Sequence, residues 1–86
     1  MKIIHNFEIK KISGNFNIEY DSELYDNIVK YGILEFIYLA ELPDKSYNVI
    51  NGKKRITVLK KLGKKICPCV IFKMSNKRYE ETLKVI

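Results

Sequence analysis

The 86-residue chain predicts a small α+β domain, a mixed sheet with packed helices in the order β-α-β-β-α-β-α. Three observations carry that expectation. Apolar residues alternate or run together in three or four short segments; two stretches between them repeat their apolar residues at helical spacing; and glycines or prolines punctuate the joins. At 47% apolar content the length suits one core, so residues 1–86 are expected to be a single domain.

Residues 2–12 read as a first strand and its exit, with Ile3, Phe7, Ile9 and Ile12 inward. SGNFNIEY, with Gly14 among polar turn formers, reads as a loop. Asp21 is placed to cap a helix, Glu23 suits its positive first turn, and Leu24, Ile28, Tyr25 and Tyr31 share one face. Gly32 ends that helix. Residues 33–42 are apolar enough for an interior strand, Pro43–Lys45 make a turn, and Tyr47, Val49 and Ile50 return as a strand. A helix over 53–62 follows, with Ile56, Leu59 and Leu62 inward and Gly63 closing it. ICPCVIF at 66–72 is β-rich, and 77–86 carries a weak helical pattern through Tyr79, Leu83 and Ile86.

Charge is distributed unevenly. Residues 1–44 carry four Lys against eight acids; residues 45–79 carry eleven Lys or Arg and no acid; residues 80–86 carry one Lys and two Glu, and the net is +6. An acid-free block of that length suits phosphate, nucleic acid or an acidic protein partner, although a lysine-rich solvated face would look the same. No window has the length of a membrane span, and the broken apolar start is too short for a secretory core, so the expected setting is cytoplasmic. Cys67 and Cys69 point to one face of an extended segment and read as buried apolar side chains. Two cysteines and one histidine fall short of a structural zinc site, so no zinc and no other metal ligand set is expected. His5 has no partner at catalytic spacing.

The stretch YNVINGKKRITVLKKLG at 47–63 carries the chemistry. Lys53, Lys54 and Arg55 crowd the first turn of a helix, whose dipole disfavours each cation by about 0.3–1 kcal/mol. An oxyanion would compensate: unpaired amides point outward there, Gly52 allows close approach, and the cations supply charge-assisted hydrogen bonds. Asn51, Gly52, Lys53, Lys54 and Arg55 are therefore the candidate phosphate-binding residues, and Lys60, Lys61, Lys64 and Lys65 the candidates for nucleic-acid or partner contact.

Over residues 20–72 the chain resembles the N-terminal domain of the ParB/sulfiredoxin superfamily. The matching pieces are YGILEFI at 31–37, YNVINGKKR at 47–55, KKLG at 60–63 and ICPCVI at 66–71. The resemblance implies ATP or CTP phosphates, with Mg²⁺, cradled by a G-x-x-R turn, which maps directly onto Gly52 and Arg55 and by position onto Lys53 and Lys54. Glu35 falls where nucleotide-hydrolysing members carry Gln or Glu, so it is the candidate catalytic residue, orienting water or metal; a solvent-facing strand-end carboxylate is the alternative. Position 53 is Lys where sulfiredoxins carry a reactive cysteine, so that activity does not carry over. Phe36 replaces the family's proline and is expected to reshape the pocket wall. The chain ends about where the E-N-x-x-R box and helix-turn-helix of partition proteins would follow, so the expectation is a stand-alone domain, with a homodimer through the last helix as an option. A nucleotide- or nucleic-acid-binding accessory protein of a phage or plasmid, a non-catalytic module that grips a host protein, and a Mg²⁺-dependent nucleotidase, nuclease or kinase all remain open.

Overall fold

The structure is a computed structural model and describes residues 1–85; Ile86, read above as part of the last helix's face, lies outside them. Its elements are β1 (Lys2–Glu8), a 3₁₀ turn (Ile9–Lys11), β2 (Ile12–Ser13), α1 (Ser22–Tyr31), β3 (Ile37–Glu41), β4 (Tyr47–Asn51), α2 (Lys53–Lys61), β5 (Ile66–Lys73) and α3 (Asn76–Val85). The strands form one sheet in the order β1-β5-β3-β4-β2. Pairing is antiparallel for β1 with β5 and β3 with β4, and parallel for β3 with β5 and β2 with β4. This is the mixed α+β domain the sequence predicts, with one addition.

That addition is the break in residues 2–12. Instead of one strand, β1 lies at one margin of the sheet and β2 at the other, and a single straight strand cannot occupy both. The chain crosses through the 3₁₀ turn, which is pinned where the Ile9 amide donates to the Lys65 carbonyl at 2.9 Å. Ile3, expected in the core, is 51% exposed. The register explains it: Ile3 faces Val70, whereas Ile4 pairs with Cys69 and packs against the core. A register shift between Ile4 and Phe7 then sets Phe7 opposite Cys67, returning it to the buried face.

The core is built from alternate strand positions, Ile37 and Leu39 of β3, Val49 of β4, and Cys67, Cys69 and Ile71 of β5, closed by Ile28 of α1 and Ile56, Val58 and Leu59 of α2. Phe7 on the edge strand meets Tyr47 on β4 with ring centroids 4.9 Å apart, although two strands separate them in the sheet, so the sheet curls around this core. Phe16, in the segment read as a plain loop, is buried in it. Leu62 is only partly buried at the end of α2.

Local signals set the helix ends. The Asp21 carboxylate accepts from the Leu24 amide at 2.7 Å, capping α1, and Gly32 leaves it at positive φ. Tyr31, expected on the inner face of α1, is instead exposed at its last turn, while Leu24 and Tyr25 pack on the core. Pairing in β3 starts only at Ile37, opposite Cys69, so residues 33–36 approach the sheet as an irregular segment and leave Leu34 in solvent. Helix α3 buries none of its described residues; the Tyr79 hydroxyl ties it to the sheet by donating to the Val49 carbonyl at 2.9 Å. Among the described residues no helix is long and apolar enough to cross a membrane.

Candidate functional site

The β4–α2 junction turns at Gly52, whose φ of 120° and ψ of 16° suit only a residue without a side chain. The turn is also tight. A Cβ on Gly52 would lie 3.0 Å from Ile37 Cγ1 and 3.2 Å from Arg55 Nη2. Helix α2 begins with the Ile56 amide donating to the Gly52 carbonyl, so the amides of Lys53, Lys54 and Arg55 have no partner within the helix, and Gly52 offers no side-chain cap. With no acid in that first turn, the positive end of the helix and three cations coincide.

Asn51, Gly52, Lys53, Lys54 and Arg55 all line one cleft of about 560 Å³, together with Glu35. Arg55 is its least exposed cation, 14% exposed at the side chain, and its Nη1 donates to Glu35 Oε2 at 2.8 Å. Glu35 comes from the irregular segment ahead of β3 and is 81% exposed. Lys53 and Lys54 are exposed, and among the described residues neither has an ion-pair partner. Ile18, Leu24, Val49, Ile50 and Leu83 give the cleft an apolar wall. Sequence reading missed Ile18 and Leu83 as wall residues: nothing marks a loop isoleucine as a lining residue, and Leu83 reaches the cleft only because Tyr79 draws α3 onto β4. Phe36 is not among the cleft-lining residues and instead packs edge-on against His5, with ring centroids 5.7 Å apart.

The second group of lysines lies at the other end of α2. Lys60, Lys64 and Lys65 line a separate hollow of about 580 Å³ with Lys10, Glu8 and an apolar floor that includes Ile9, Ile12 and Phe16. The Lys60 ammonium sits 5.9 Å from the centre of the Phe16 ring. Lys61 does not line that hollow. Lys10 was not singled out from the sequence, because only the contact between the 3₁₀ turn and the segment after α2 brings it there.

Both cysteines are buried in β5. Burial, reinforced by the neighbouring Cys69, pushes the Cys67 thiol up to about 12, and burial alone pushes Cys69 to about 11. Neither supplies a thiolate at neutral pH. Among the described residues no three His, Cys, Asp or Glu side chains converge as a metal site, and Glu35 is the single carboxylate lining the cleft.

The fold is a small α+β domain in which a glycine turn opens a basic helix. The model of the ParB N-terminal domain matches residues 1–84, and the chain belongs to that family. No curated protein matches it. Among solved structures, sulfiredoxin from Arabidopsis thaliana is 25% identical, with a TM-score of 0.77 over 96% of this chain and 98% of that one. The C-terminally truncated chromosome-partitioning protein ParB from Caulobacter crescentus, complexed with CTP-γ-S, is 18% identical with a TM-score of 0.72; this chain is covered to 99% and spans 50% of that one. The same ParB complexed to the centromeric parS site is 19% identical with a TM-score of 0.63, over 91% of this chain and 44% of that one.

Proposed function

We propose that the domain binds a nucleotide, ATP or CTP, with its phosphates at Asn51–Arg55 and its base or sugar against Ile18, Leu24 and Leu83. One observation carries the reading: unpaired amides, three cations and an apolar wall face a single cleft of about 560 Å³. Family membership and a ParB of this fold complexed with CTP-γ-S support it. Binding is favoured over turnover, because Glu35 alone would have to serve as catalytic group and as the protein's ligand for Mg²⁺. Such a magnesium ion would come with the nucleotide, Glu35 contributing one ligand and the phosphates others, and would supply charge neutralisation.

Calorimetric titration with ATP and CTP tests this. Arg55→Ala should weaken binding on the order of tenfold or more, the scale of a lost charge-assisted hydrogen bond. Unchanged affinity in that variant would remove the reading.

A second surface supports nucleic-acid contact: Lys60, Lys64 and Lys65 converge with Lys10 around their own hollow. DNA or RNA binding there should fall steeply with salt, and Lys64→Glu should weaken it across sequences. Absence of any mobility shift at low salt would count against this surface and leave an acidic protein as its partner.

A further inference from the structure

We propose that Glu35 is a built-in competitor for Arg55 that makes the cleft select magnesium-complexed polyphosphate over the free anion; this rests on the phosphate reading above. The Arg55 guanidinium lies between two partners. Its Nη2 sits against the Gly52 turn, 3.2 Å from where a Cβ would be, and its Nη1 is held by Glu35 at 2.8 Å. A phosphate oxygen arriving at the Gly52 turn meets the same guanidinium with a carboxylate already on it. The pair is unequal. Arg55 is 14% exposed, whereas Glu35 is 81% exposed on an irregular segment and makes no other side-chain hydrogen bond among the described residues. Glu35 is therefore the member that yields.

Where it goes depends on the form of the ligand. The three cations and one carboxylate lining the cleft leave a net +2. A free triphosphate brings roughly four negative charges, and Glu35 would then stand beside them as a like charge with no partner. The magnesium complex brings about two, and Mg²⁺ is usually bound by one or two carboxylates besides phosphate oxygens. The carboxylate released from Arg55 then has a cation to face. Glu35 thus repels one form of the ligand and favours the other.

The test titrates inorganic tripolyphosphate into the wild-type domain and Glu35→Gln, with Mg²⁺ and with a chelator. Wild type should prefer the magnesium form. Glu35→Gln should bind metal-free tripolyphosphate on the order of tenfold more tightly than wild type, with the magnesium preference reduced. Because Glu35 is exposed, the variant should melt with wild type. Wild-type binding with an unchanged or weaker metal-free affinity in Glu35→Gln overturns this proposal alone. Failure of both proteins to bind tripolyphosphate overturns the phosphate reading and this proposal together.

Discussion

Gly52→Ala should destabilise the domain by about 2–6 kcal/mol, from two separable sources. The backbone at φ 120° and ψ 16° is one that L-residues rarely adopt, a strain of about 1–3 kcal/mol. The new Cβ would also press on Ile37, which is fully buried, at 3.0 Å and 3.2 Å, and overpacking of that kind costs about 1–3 kcal/mol. Gly63 is the matched control, with φ 75° and nothing within 4 Å of its would-be Cβ, so Gly63→Ala carries only the backbone cost of about 1–2 kcal/mol. For a domain of this size each kcal/mol lowers Tm by about 4–8 °C, so Gly52→Ala should melt at least roughly 8 °C below wild type. Urea unfolding of the three proteins, followed by circular dichroism, gives the comparison. If Gly52→Ala and Gly63→Ala lose the same stability, the turn is not packed against β3 as described, and the tight approach of backbone to Arg55 goes with it.

Two other outcomes follow from the packing. The Cys67 and Cys69 thiols are raised by burial to about 12 and about 11 from an ordinary 9, so the fold keeps protons that the unfolded chain releases. Their contribution is complete below pH 9 and is lost as pH climbs toward 12. Urea midpoints measured from pH 8 to 11 should therefore fall, and Cys67→Ala with Cys69→Ala should flatten that slope; an unaltered slope would refute the assignment. Tyr79→Phe removes the hydroxyl that holds α3 to Val49, at about 1 kcal/mol, and should speed amide exchange in α3 far more than in β5. Equal acceleration in both elements would show that α3 is not tethered by that bond.

Much of the fold could be read in the sequence wherever local chemistry decides structure. Asp21 caps, Gly32 ends α1, and α2 starts right after Gly52, because each depends on neighbours a few residues away. The misreadings occur where distant contacts decide. Residues 2–12 alternate well enough for one strand, and only the demand that β1 meet β5 while β2 meets β4 breaks them. Ile3 and Ile4 are chemically identical neighbours, and register alone chooses which packs against the core. The cleft followed the same division. Asn51–Arg55 are contiguous and stood out by charge; the Arg55–Glu35 ion pair joins residues twenty positions apart, and Leu83 comes from the last helix.

The sheet order also constrains how the chain comes to be folded. Lys2 lies beside Ile71, so the margin strand β1 is made well before β5, the strand it pairs with. Until β5 emerges, β3 lacks its parallel neighbour as well, and the two halves of the sheet have nothing to join them. Closure of so long a loop puts the domain among slowly assembling topologies, with Phe7 and Ile9 in want of cover until β5 is made.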